Sequence, residues 1–192
     1  MTNRKREATA YREAGHAAIY CYLRIGFRKA TIKPDKDYLG MVATYGLGKR
    51  TMEELEYGRL ARRHRERMEN EIMCLLAGGI AEHIFTGRRN NIGAGSDHGR
   101  VLDFMMSACG SSEQAYAYTK WLETLTRDTL ANVVWPAVRR VAEALLEKET
   151  LNSKEVHAFY EEGLYGTAEQ RAAEGERLEA VVAKIEEALT AI

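Results

Sequence analysis

Glu13 and His16 stand three residues apart in the segment Tyr11-Arg-Glu-Ala-Gly-His16, a spacing that puts a carboxylate and an imidazole on one face of a helix. One helical turn is the distance over which two such side chains can share a metal ion or a water molecule. The metal-binding pattern that this segment nearly reproduces is H-E-x-x-H. There, histidines at i and i+4 hold one zinc ion and the glutamate serves the metal-bound water as general base. Here the first of those positions is Arg12. A lone Glu-x-x-His pair is common in helices, so its weight depends on what the rest of the chain brings near it.

Other groups with chemical potential are fewer. His64 lies in a run of charged residues and is read as solvated, and His83, after Glu82, as an ordinary helix-surface or interface residue. Gly46-Leu-Gly-Lys-Arg-Thr51 has glycines and a lysine but not the G-x-x-x-x-G-K-[ST] spacing that cradles phosphates, which argues against nucleotide binding there. Cys21, Cys74 and Cys109 are odd in number and far apart, the pattern of buried reduced thiols rather than of a disulfide framework.

The elements that must hold Glu13 and His16 are mostly helical. From Arg4 to about Arg24, apolar or small residues recur at three- and four-residue steps, which predicts a helix with one buried stripe. Lys29–Lys33 and Leu39–Tyr45 alternate and flank Pro34-Asp-Lys-Asp37, the signature of two short strands joined by a turn. Thr51 with Glu54 reads as a capping box opening a charged helical stretch that continues to Phe85. Gly78-Gly79 inside it calls for close backbone approach by another helix. Thr86–Asp97 reads as a polar glycine-rich loop. Ser111 with Gln114, Asn152 with Glu155 and Thr167 with Gln170 mark three further helix starts, and Pro136 marks a kink or break. Leu178, Val181, Val182, Ile185, Leu189 and Ile192 form one apolar stripe on the last helix. The fold class expected is mainly α with a small β-sheet.

With 192 residues, the chain accommodates one domain or one with a small appendage. Its 28 Lys+Arg balance 28 Asp+Glu, which argues against nucleic acid or an anionic membrane as the main partner. No stretch approaches the ~20 apolar residues of a membrane span, and the N-terminus has no hydrophobic signal core, so the chain is expected in the cytoplasm.

Taken in order, the segments resemble the peptidase domain of the FtsH-type ATP-dependent zinc metalloproteases. Ala10-Tyr-Arg-Glu-Ala-Gly-His-Ala17 matches that family's A-Y-H-E-A-G-H-A at every position but one. Ala30-Thr-Ile-Lys-Pro34 with Leu39-Gly40 is similar to its strand and turn, and Leu75–Phe85 to its glycine-containing second helix. Gly93-Ala-Gly-Ser-Asp97 resembles the loop carrying the third zinc ligand, and Leu145–Leu151 with Glu155-Val156 a late helix ending. The resemblance implies a zincin-like helical fold, His16 and Asp97 as metal ligands, Glu13 as base, and Glu82 as an acidic residue near the site that could orient His16. It also implies peptide or unfolded protein as substrate, bound along an edge strand such as Leu39–Tyr45, and a ring-forming habit. Residues 1–166 are expected to form the peptidase-like domain, standing alone without membrane anchor or ATPase. Residues 167–192 are expected to form an amphipathic helix packed on it or on a neighbouring chain.

Arg12 is where the chain departs from the family. A guanidinium keeps its proton and offers no lone pair. At ~4 Å from a dication, with an effective dielectric near 20, it is repelled by roughly 8 kcal/mol before relaxation. Three readings stay open: a surface residue without bearing on the site, a cation in the metal's place paired with Asp97 or Glu13, or a metal kept by substitution with His98 as the added ligand. Three functions are open: a peptide- or partner-binding homologue with weak or no zinc binding, an active zinc endopeptidase with an altered ligand set, or a helical self-assembly protein whose C-terminal stripe packs on a copy. A separate ATP-dependent unfoldase is an expected partner if folded proteins are processed.

Overall fold

A computed structural model describes residues 3–35, 39–57, 61–88 and 95–190. Eight α-helices and three short strands are present among them: α1 (Asn3–Tyr22), β1 (Phe27–Thr31), β2 (Met41–Thr44), α2 (Lys49–Glu56), α3 (Arg62–Thr86), α4 (Gly95–Ala108), α5 (Ser112–Asp128), α6 (Trp135–Lys148), β3 (Thr150–Asn152), α7 (Ser153–Tyr165) and α8 (Ala168–Thr190). The fold is mainly helical with one small antiparallel sheet in the order β2-β1-β3, as expected except that β3 was not legible. At three residues, β3 is too short to show an alternation.

α1 is the centre of the molecule and packs chiefly on α3 and α6. The sequence suggested one buried stripe, but α1 is buried without interruption from Glu13 to Cys21. Ala14, Gly15, Ala17 and Ala18 make this possible, because small side chains let helices and sheet approach from every side. At Gly15 a Cβ would lie 2.4 Å from Ala81 Cβ and 2.9 Å from the Ala77 carbonyl oxygen, so α1 and α3 touch almost backbone to backbone.

The sheet lies beside α1, with Ala30 paired to Val42 on one side and Leu151 on the other. Ala30 and Leu151 are fully buried, and Phe27 closes that end of the core against Tyr20. β2 is an edge strand and all four of its residues are half-buried.

Several local expectations need correction. α2 begins after Gly48, and Thr51 lies inside it, buried on the same face as Leu55 and used for packing rather than capping. α2 folds back on the start of α3, so His64 is buried, not solvated, with Nδ1 2.5 Å from Glu54 Oε2. Gly87, at φ 70°, ends α3 in the left-handed conformation that glycine tolerates. Gly95–Asp97 are the first turn of α4 rather than loop; Gly93 and Ala94 lie outside the described residues, as does part of the Pro34–Asp37 turn. Before Pro136 the chain widens into a π-helical turn, Thr129–Val134. A proline ring crowds the carbonyl four residues back, and the wider turn relieves that contact. Ser111 caps α5, Asn152 and Glu155 form a reciprocal capping box on α7, and Thr167 and Gln170 bond each other's backbone N–H at the start of α8. On α8, Leu178 and Val182 are exposed; Ile192 and the side chains of Val181, Ile185 and Leu189 lie outside the described residues. Among the described residues, no helix is long and apolar enough to cross a membrane.

Candidate functional site

Three helices meet at Arg12. α1 supplies Arg12, Glu13 and His16 on one face, α3 supplies Glu82 and the backbone around Cys74 and Gly78, and the first turn of α4 supplies Asp97. An acidic residue in a first turn is favoured by the helix dipole, so Asp97 suits its position before any partner is considered.

The Arg12 side chain is only 12% exposed. Its Nη2 donates to Asp97 Oδ2 in a charge-assisted bond. Nη1 lies 3.6 Å from Glu82 Oε2 and Nε 3.9 Å from Glu13 Oε1. One guanidinium is thus surrounded by three carboxyl groups. Burial pushes the Glu13 carboxyl up to about 8; Arg12 opposes the shift, while Asp97 and Glu82 add to it. Near neutral pH Glu13 therefore holds its proton.

His16 is fixed from behind. Its Nδ1 lies 2.6 Å from the Cys74 carbonyl oxygen, which can only accept, so the proton sits on Nδ1 and the lone pair on Nε2. Burial lowers its pKa, with Asp97 opposing, which keeps the ring neutral. Nε2 faces Asp97 Oδ2 at 3.7 Å. The ring occupies space that only glycine leaves open: a Cβ on Gly78 would stand 2.0 Å from His16 Nε2. Gly40, the residue before β2, is pressed on the other side of the site, where a Cβ would be 2.8 Å from Glu13 Cγ.

A second arginine fastens the next turn of α4. Arg100 Nη2 donates to Glu71 Oε1 at 3.0 Å, and the other oxygen of this buried carboxylate accepts from Tyr20 Oη at 3.2 Å.

Arg12, Glu13, His16, Glu82 and Asp97 therefore converge, whereas His98 is exposed on α4 and takes no part among the contacts described. Sequence reasoning missed the Cys74 carbonyl and the Arg100–Glu71 pair. The first has a signal in retrospect, since Cys74 and Gly78 are four apart on the face of α3 that meets α1; the second has none, because its two residues are 29 apart and on different helices.

A zinc ion held as in H-E-x-x-H sites needs three protein donors with lone pairs. His16 Nε2 and Asp97 are two; the third position is a guanidinium that already engages Asp97. Among the described residues, no group of three or more His, Cys, Asp and Glu side chains could hold a metal ion. This donor set does not fit a three-ligand zinc site.

No protein-family model matches the chain. Among curated proteins it is similar to the ATP-dependent zinc metalloprotease FtsH of Rickettsia felis, with 39% identity over 100 residues, 50% of this chain and 14% of that protein. FtsH of Rickettsia typhi is 28% identical over 195 residues, 81% of this chain and 29% of the relative. The chain contains an FtsH-related region. Each of these matches spans less than a third of the relative's length. The relatives' name is that of a zinc protease, and the FtsH-related chain described here presents an arginine among the carboxyl groups of its candidate site.

Proposed function

We propose that this chain is an FtsH-type metallopeptidase-like protein whose zinc motif is degenerate at Arg12, and that it binds peptides or unfolded segments without zinc-dependent cleavage. The observation that carries the reading is the Arg12 guanidinium bonded to Asp97, with Glu82 and Glu13 beside it, on the helix face it shares with His16. A cation there supplies the positive charge that the carboxyl groups need and takes up the Asp97 donor. Similarity to named zinc proteases supports the family part of the reading. The edge strand β2, next to Glu13 through Gly40, supports the peptide part, because an edge that no described strand pairs offers main-chain hydrogen bonds to an extended segment. In the same reading residues 1–166 are the peptidase-like domain, and 167–192 a helix whose exposed Leu178 and Val182 suit contact with a neighbouring chain.

The test is metal content. After incubation with zinc and dialysis, the purified protein should hold well under one equivalent and show no chelator-sensitive cleavage of casein. Arg12→His, which restores an imidazole without adding a charge, should bring zinc close to one equivalent. Stoichiometric zinc in the unaltered chain, lost on changing His16 or Asp97, would overturn the reading in favour of an active endopeptidase with an altered ligand set.

A further inference from the structure

Among the described residues, two that are not glycine hold the left-handed backbone conformation, Arg24 at φ 56° and Glu149 at φ 59°. Each follows a helix end, where glycine is the usual choice because a side chain is disfavoured in that conformation. After α1 the closure is complete: Arg24 N–H donates to the Cys21 carbonyl at 3.1 Å and Ile25 N–H to the Tyr20 carbonyl at 2.9 Å. Glu149 has a local reason to stay, since its carboxylate accepts from Arg6 at 3.2 Å. Arg24 has none. Its side chain is exposed and makes no ion pair or hydrogen bond among the described residues. Strain of this kind persists where it is used.

The strained arginine belongs to a basic surface. From residue 14 to residue 34 the chain carries four cations, Arg24, Arg28, Lys29 and Lys33, and no Asp or Glu. All four are exposed and none makes an ion pair among the described residues, whereas Arg6, Arg12, Arg50, Arg100, Arg127 and Arg140 all do. Tyr45, 66% exposed, lies against Gly26, where a Cβ would be 3.6 Å from its ring. The Arg28 guanidinium covers that ring, 5.2 Å from its centroid. Arginine and tyrosine are the residues that protein interfaces favour. This surface begins at the far end of α1, about 15 Å along the helix from Arg12, and is separate from the carboxyl cluster there.

Positive charge calls for an anionic partner, and the patch selects its kind. A single-stranded nucleic acid needs aromatic faces open for stacking, and Arg28 already covers Tyr45. The balanced charge of the whole chain also disfavours a long polyanion. Guanidinium forks match carboxylates in pairs of hydrogen bonds, and a tyrosine among them adds apolar contact area.

We infer that Arg24, Arg28, Lys29 and Tyr45 form a docking surface for an acidic protein segment, and that the strain at Arg24 is kept because its charge serves that partner. The inference goes beyond the Arg12 site and is independent of zinc.

The experiment uses the full chain and fluorescein-labelled dodecaglutamate, with binding read by fluorescence anisotropy at low ionic strength. Arg24→Gly is the decisive variant, because relief of strain should raise stability while binding falls. Its folding constant from urea curves should increase about two- to fivefold, and its affinity for dodecaglutamate should drop about two- to fivefold. Arg24→Lys keeps the charge and should keep the affinity. Reversal of charge by Arg28→Glu with Lys29→Glu should weaken binding more than about tenfold. Arg62→Glu with Arg67→Glu, at cations also exposed on α3, should leave it within about twofold. An oligothymidylate of the same length should bind less tightly than the peptide. The inference is overturned if dodecaglutamate does not bind, or if Arg24→Gly binds as well as the unaltered chain or is less stable than it. It is equally overturned if the reversal on α3 costs as much as the reversal on β1, or if the oligothymidylate binds more tightly. Self-association of the chain alone that Arg28→Glu abolishes would assign the surface to a second copy and overturn it too. Should the reversal on β1 fail to fold, Arg24→Gly decides, since glycine suits the conformation it enters.

Discussion

Two arginine–carboxylate pairs hold the start of α4, one turn apart and with opposite polarity. In one, Asp97 of α4 accepts from Arg12 of α1; in the other, Arg100 of α4 donates to Glu71 of α3. The first is nearly dry on both sides, at 12% and 19% exposure, while the second joins a half-exposed arginine, at 49%, to a buried glutamate. Arg12 serves several carboxyl groups at once, whereas Glu71 has a second donor in Tyr20. The same pair of functional groups is thus a desolvated charge cluster in one place and an anchored surface bridge in the other. The difference lies in the environment of each pair.

The sharpest way to break the comparison is Arg12→Met. Removing the cation leaves the Asp97 carboxylate without its partner in a poorly solvated site, and losing one partner of a buried pair costs about 3–5 kcal/mol. Urea unfolding should show that loss; a change under about 1 kcal/mol would class the pair with weak surface bridges. Next in size is Gly78→Ala. Its Cβ would fall 2.0 Å from His16 Nε2, forcing the ring toward Asp97 at a cost of about 1–3 kcal/mol, against which alanine's better helix propensity returns only about 1. The two substitutions act on one cluster, so their effects should not add, whereas Gly78→Ala and Arg100→Ala should add within about 0.5 kcal/mol. Additivity in the first combination would mean that His16 and Arg12 are mechanically independent.

Much of the fold was legible because its signals are local. The caps at Ser111, Asn152 and Thr167 are each written within four residues, and the structure forms all three. The close approach read from Gly78-Gly79 is met at Gly78 by the His16 side chain rather than by the backbone of another helix, and the near backbone contact of α1 with α3 falls at Gly15 instead. What failed was what depends on distant partners. His64 sits in a charged run, yet α2 folds over it and Glu54 meets its ring. Thr51 has the type and spacing of a cap, but burial beside Leu55 gives it another use. In the site, Arg12, Glu13 and His16 were readable from one helical turn. Asp97 and Glu82 entered only through resemblance, because nothing local links residue 12 to residues 82 and 97. The carbonyl that fixes His16 belongs to the backbone, and only the four-residue spacing of Cys74 and Gly78 on α3 hints at it.

Arg100→Ala is the smallest expected effect and the one that sharpens the contrast most. Arg100 is already half in water, so little desolvation is recovered or lost on the arginine side. Glu71 stays buried but keeps the Tyr20 hydroxyl, so its carboxylate is left with one donor rather than none. The net loss should be about 1 kcal/mol. It should also shrink on raising salt from about 0.05 to 0.5 M, because screening over a few ångströms reaches a half-exposed pair. The Arg12→Met loss should persist across the same range, since bulk ions do not enter a site that excludes water. Urea curves of both variants at the two salt levels measure the contrast directly. Equal, salt-insensitive losses would mean that the burial of one partner sets the strength of each clamp and that the arginine's own exposure does not matter.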